Sequence, residues 1–296
     1  MRDDYSSKLG YGLKWAYLLS IVGALLAPVF HIVYISFNEH GFSARIYEFT
    51  TDWYRVVLGD IMLVASLKWT FYLALSAVLT AVPMGLLAAK LYKRTQHKVA
   101  FVTLMLAPLF VPADIMASSL LVFFRNVNGV FELLGEALGW EWLTHWFELG
   151  FLTALIGQIL YTLPYAFVII LITMSRYHPQ QTEAARGCGA TGWQAFCQVE
   201  FPQIRAGVFS ACAFVVILSF NEATRTALLK GGFDTFANVL VSQMLNVGMS
   251  GESYAMAGIM SIVAITVIGG FLIYTLIQSG RLERVARAKA DPLMSS

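Results

Sequence analysis

Six apolar runs, separated by shorter polar segments, divide the chain: 15–37, 62–89, 99–124, 150–174, 204–223 and 254–279. A hydrocarbon core of about 30 Å needs roughly 20 residues of helix, and each run meets that length. The pattern predicts an all-α polytopic membrane protein with six transmembrane helices. Lys68 sits near the start of the second run. The first run, "WAYLLSIVGALLAPVFHIVYISF", is longer than a signal-peptide core of about 7–15 residues. It leads into "ISFNEHGF" and no small-x-small cleavage site, so it is expected to stay as the first span.

Composition fits this reading. Of 296 residues, 58% are hydrophobic and 13% charged, and the mean hydropathy is +0.66. A soluble domain carries about 25% charged residues. The net charge of +2 is too small to point to nucleic acid, and none is expected as a partner. Cys188, Cys197 and Cys212 cannot all pair and their spacing fits no zinc pattern, so no metal site is expected. The three thiols are read as small buried or interfacial side chains.

Lysine and arginine orient the spans. With the N-terminus inside, the inner segments hold Arg2, Lys8, Lys14, Lys90, Lys93, Arg94, Lys98, Arg176, Arg186, Arg205, Arg281, Arg284, Arg287 and Lys289, fourteen in all. The outer segments hold five: Arg45, Arg55, Arg125, Arg225 and Lys230. Both termini are therefore expected in the cytoplasm. The outer loop after the third span carries "GWEWLTHWF", whose Trp140, Trp142 and Trp146 suit a segment lying at the outer interface.

The longest inner loop contains "EAARGCGATGWQAFCQVEFP" from Glu183 to Pro202. Pro179 can open a helix at its first position, where a missing N–H costs nothing. Glu183 and Arg186 then lie three apart on one face. Gly187 and Gly189 end that helix or admit a close neighbour. Thr191 and Gln194 have capping-box spacing and start a second short helix, "GWQAFCQVEF", with Pro202 marking the turn into the fifth span. The small, weakly charged bend reads either as a docking surface for another protein or as an ordinary connection between spans.

The loop resembles the EAA loop of binding-protein-dependent ABC importer permeases, E-A-A-x3-G, nine residues, then I-x-L-P. Here Glu183, Ala184, Ala185 and Gly189 are followed by Val199, Phe201 and Pro202, with Val for Ile and Phe for Leu. "SLKWTFYLAL" at 66–75, "APLFVP" at 107–112 and "SFNEATRTALLKG" at 219–231 resemble further segments of the spermidine/putrescine branch of that family. The resemblance implies a type I ABC importer permease fold. It divides the chain into an N-terminal segment, residues 1–60, a core permease domain 61–280 with a coupling loop 175–202, and a cytoplasmic tail 281–296. It also implies that Glu183, Ala184, Ala185, Arg186, Gly189 and Ala190 meet an ATPase. The expected partners are two ATPase subunits that hold ATP and Mg, a second permease that is either a distinct homologue or a copy of this chain, a periplasmic solute-binding protein, and the lipid bilayer of a bacterial inner membrane. The chain has no Walker A pattern, so it is expected to be non-catalytic and to carry no cofactor of its own.

Ionisable residues near the spans are candidates for a solute pathway. Asp114, after Pro108 and Pro112 in the third run, is expected to face the bundle interior in either a functional or a structural role. Asn221, Glu222 and Arg225 close the fifth. The branch has Asp-Glu where this chain has Asn221-Glu222, and Arg225 adds a positive charge. That change suits a solute bearing a carboxylate, or Glu222 and Arg225 simply neutralise each other. Arg125 has a similar double reading, with snorkelling to the interface favoured. Asn246 falls in a segment with the spacing of a short re-entrant or interfacial helix. The function expected is uptake of a small charged solute, a polyamine or an amino-acid-like or opine-like compound, by alternating access. The alternative is a secondary transporter driven by an ion gradient. That would call for inverted repeats, which are not visible in the sequence. No G-x-S-x-G or H-E-x-x-H supports an intramembrane enzyme.

Overall fold

The computed structural model describes residues 2–41, 47–144 and 148–290, so Arg45, Trp146 and the end of the tail lie outside the described residues. The described chain is almost wholly helical. It opens with α1 (Arg2–Ser36), α2 (Asp52–Gly59), α3 (Ile61–Arg94), α4 (Lys98–Leu106), a 3-10 turn (Ala107–Phe110), α5 (Ala113–Leu138) and α6 (Glu141–Thr144). It continues through α7 (Phe151–Met174), α8 (Gln180–Gly187), α9 (Gly192–Ala195), α10 (Phe201–Phe220), α11 (Thr224–Leu229), α12 (Phe236–Asn246) and α13 (Gly251–Ala290).

Among the described residues, five helical segments are long and apolar enough to cross a bilayer: Lys14–Ser36, Ile61–Arg94, Phe151–Met174, Gly192–Phe220 and Gly251–Phe271. They correspond to five of the six expected runs. The third run departs from expectation. It is not one straight helix over 99–124, because Lys98–Phe110 and Ala113–Leu138 meet at 96°. The cause is local. Pro108 falls in the 3-10 turn, and Val111 is extended at φ −92 and ψ 124, as a residue before proline prefers. Pro112 then caps α5, which runs on to Leu138 through residues expected in an outer loop.

The chain forms two compact units, one of residues 1–61 with 242–263, the other of residues 62–241 with those from 264 onward. In the first unit the Ser36 and Tyr54 hydroxyls are 2.6 Å apart, and the Phe37 ring stacks on Phe49 and Tyr54. Most of α1 is bare: Leu18, Leu19, Leu25 and Phe30 are exposed, as on a helix whose solvent is lipid.

In the second unit α3, α7 and α10 share a core. Ala77 and Ala89 of α3 meet Ala166, Phe167 and Ile170 of α7 and Ile204, Ala211 and Val215 of α10. Small residues let the helix axes come close, the usual device where lipid supplies no hydrophobic drive between helices. α7 and α10 approach closely at Gly207, where a Cβ would lie 2.2 Å from the Thr173 hydroxyl oxygen. Phe71, Leu75, Leu79, Leu87 and Leu91 on the outer face of α3 are exposed.

Candidate functional site

The loop after α7 is built from local chemistry. Pro179 is already helical at φ −58 and ψ −28, and its carbonyl accepts the Glu183 N–H at 3.2 Å. α8 closes in a Schellman motif. The Gly189 N–H donates to the Arg186 carbonyl at 3.0 Å, and the Ala190 N–H reaches back to the Ala185 carbonyl at 3.1 Å. The motif needs a left-handed residue, and Gly189 supplies it at φ +92. The capping box at Thr191 forms as its spacing suggests, with Gln194 N–H on the Thr191 hydroxyl at 3.3 Å and Thr191 N–H on Gln194 Oε1 at 2.9 Å.

The continuation differs from expectation. "GWQAFCQVEF" is not a separate helix turned back at Pro202, because α9 passes through one π turn, Phe196–Glu200, directly into α10. Pro202 has no N–H to donate. A widened turn, in which the Phe201 N–H bonds to the Phe196 carbonyl, accommodates it without a break.

Glu183, Ala184, Arg186 and Gly189 are exposed, while Ala185 and Ala190 are half-buried. Glu183 and Arg186 line the same cavity, yet no ion pair joins them among the described residues. Cys188 and Cys197 are exposed on this loop and Cys212 is half-buried.

The loop is tied to α3 and α10. Lys90 of α3 pairs with the buried Glu200 at 3.1 Å, and its ammonium lies 3.8 Å from the Phe196 ring centre. Lys93 donates to the Tyr177 carbonyl at 3.2 Å. The Tyr177 and Thr182 hydroxyls hydrogen-bond, and Gln203 of α10 donates to Gln181 of α8. Sequence reasoning missed Lys90 and Glu200. The pair is far apart in sequence, and the only available signal was a carboxylate inside a stretch otherwise read as apolar contact surface.

The second group of candidates gathers where α10 ends. Asn221 caps α10 and is exposed. Glu222 and Arg225 are buried together, their side chains 8% and 7% exposed, with Arg225 Nη1 2.6 Å from Glu222 Oε2. Glu222 Oε1 also accepts the Arg225 backbone N–H at 2.8 Å. The guanidinium lies 4.2 Å from the Tyr161 ring centre, a cation–π contact. Next to it Gln158 donates to the Thr226 hydroxyl at 3.2 Å. Arg225 Nε, Gln158 Oε1 and the Ser219 hydroxyl have no hydrogen-bond partner among the described residues. Gln158 and Tyr161 were missed, although two polar side chains three apart on the apolar α7 were a legible sign. At the end of α11, burial holds the Lys230 ammonium below its usual pKa range, and Asp234 pairs with it.

Asp114 does not join this group. It is exposed in the first turn of α5 instead of facing the interior of the chain, because the break at Val111 and Pro112 starts a new helix there. A carboxylate in a first turn complements the helix dipole. Arg125 is also exposed and lines a cavity of about 360 Å³ with Glu132 and Glu148.

The family described as "Binding-protein-dependent transport system inner membrane component" matches residues 81–281. The chain belongs to this family. Across 262 residues it is 24% identical to the Escherichia coli K12 "Spermidine/putrescine transport system permease protein PotC", covering 88% of this chain and 92% of that protein. It is likewise 24% identical over 276 residues to the "Putrescine transport system permease protein PotI" of the same organism, covering 92% and 93%. A crystal structure of a bacterial alginate ABC transporter, with an alginate pentasaccharide-bound periplasmic protein, superposes over 92% of this chain and 94% of the matched chain at TM-score 0.63 and 17% identity. The fold is that of a type I ABC importer permease, here with its third span bent.

Proposed function

We propose that the chain is a non-catalytic permease subunit of an ATP-driven importer in a bacterial inner membrane, taking a polyamine from a periplasmic binding protein by alternating access. The reading rests first on the exposed α8. Its Glu183 and Ala184 are exposed, its end is fixed by Gly189, and it is tied through Gln181 to Gln203 of α10 and through Thr182 to Tyr177, whose carbonyl Lys93 of α3 holds. A helix held this way moves with the spans, which a floppy loop would not do, so force from a separate ATPase can reach the membrane. The polyamine assignment draws on the names of the relatives. A second permease, a distinct homologue, and two ATPase subunits holding ATP and Mg complete the assembly.

Within the pathway, Asn221, Glu222 and Arg225 bring no net charge, since Glu222 is committed to Arg225. A carboxylate-bearing solute is the second reading. It is favoured by the unpartnered Arg225 Nε, a donor that a carboxylate accepts. Asp114 belongs to the proposed pathway only if the neighbouring permease covers it.

The test is co-purification with uptake. Glu183→Lys and Gly189→Leu are each expected to leave the chain inserted while the ATPase subunit is lost and labelled putrescine uptake falls to background. An ATPase that stays bound with normal uptake would sink the coupling role. Putrescine uptake by the intact complex that is outcompeted by an amino-acid-like solute and not by spermidine would replace the polyamine reading with the second.

A further inference from the structure

Where α3 ends against the loop there is a cavity of about 380 Å³. Lys90, Lys93, Arg94 and Arg186 line it together with Glu183 and Glu200. Four cations against two carboxylates leave a net charge of +2 around one small volume. The charges are not equivalent. Lys90 and Glu200 satisfy each other at 3.1 Å. Lys93 gives one hydrogen to the Tyr177 carbonyl and keeps two. Arg94 and Arg186 have no ion-pair partner among the described residues. Three cationic donors thus face one space from two elements, opposed by Glu183 and by Glu200, which is itself paired with Lys90.

Position matters as much as charge. Lys90, Lys93 and Arg94 follow directly on the apolar stretch of a segment long enough to span the bilayer, so the cavity lies at the polar end of that segment. Basic pockets at that depth attract phosphate-bearing headgroups, and arginine offers a fork that matches two phosphate oxygens. We propose that this cavity binds a phosphate anion, bridging α3 to α8 through Lys93, Arg94 and Arg186. An anionic phospholipid headgroup and a free phosphate present the same chemistry. The site is independent of which solute is carried and adds a contact that ties the α8 end of the loop to the membrane.

The full-length chain, purified in detergent, is to be titrated with phosphatidylglycerol and, separately, with inorganic phosphate. Lipid retention is read by native mass spectrometry and phosphate binding by thermal shift. Each basic group near a membrane surface contributes about fivefold to binding, so the triple variant K93Q/R94Q/R186Q is expected to lose on the order of a hundredfold. Lys98→Gln, a cation on the same side that does not line the cavity, should lose little. The charge-preserving variant K93R/R94K/R186K should keep most of the binding, which separates charge from a folding defect. Saturable phosphatidylglycerol binding without a phosphate response assigns the headgroup, and the reverse assigns free phosphate. Retention equal in the triple variant and the wild type, or lost equally in Lys98→Gln, would overturn the site.

Discussion

Arg225 puts a permanent charge beside largely apolar helices, and its surroundings show how that is tolerated. Glu222 meets it at 2.6 Å, the Tyr161 ring covers it, and both charged side chains are almost fully out of solvent. Desolvation of such a pair consumes much of its attraction, so the pair adds little net stability, while half of it left alone is costly. Glu222→Gln strands the guanidinium and is expected to cost about 3–5 kcal/mol in denaturant unfolding from mixed micelles. The double variant E222L/R225M removes both charges at similar volume and should cost far less. Equal losses from the single and double variants would mean that packing, not charge compensation, sets the stability at this point. Arg186 is the contrasting case: exposed, unpaired and facing a cavity, it is a cation free to bind something else.

Among the elements, α7 and α10 pack with little room between them. Gly207 faces Thr173 so closely that an added Cβ would sit 2.5 Å from the Thr173 Cβ, an atom no rotamer change can move. Gly207→Ala is therefore expected to destabilise by about 1–3 kcal/mol through overpacking, measured by the same unfolding. A neutral result would mean that the two helices slide past each other freely. How legible each element was in sequence depends on how local its cause is. The Gly189 terminus, the Thr191 box and the straight spans are set by residues within a turn or two of one another, and they were readable. The bend of the third run had its cause in plain view at Pro108 and Pro112, but its size is set by how α4 and α5 pack. The run-through from α9 into α10 was hidden because a π turn absorbs Pro202, and proline normally signals a stop. Lys90 with Glu200, Arg225 with Tyr161, and Thr226 with Gln158 are pairings between elements distant in sequence, to which periodicity is blind.

For the whole molecule, the proposed function depends on which side of the membrane α8 faces. The excess of lysine and arginine in the segments holding Lys90 to Lys98 and Arg176 to Arg205 leads us to propose that this side is cytoplasmic. Both the ATPase contact and a headgroup of the inner leaflet need this orientation. The chain carries its own reporters, since Cys188 and Cys197 are exposed on the loop and Cys212 is half-buried in α10. For the full-length chain expressed without its partners, a membrane-impermeant maleimide should leave all three thiols untouched in intact spheroplasts. In inside-out vesicles the same reagent should label Cys188 and Cys197 quickly and Cys212 slowly, because thiol reaction follows exposure and thiolate access. Single-cysteine versions assign each signal. Labelling of Cys188 or Cys197 in intact spheroplasts would turn the molecule over. The EAA face of α8 would then meet the binding protein's compartment and not the ATPase, and the coupling role would fail with it.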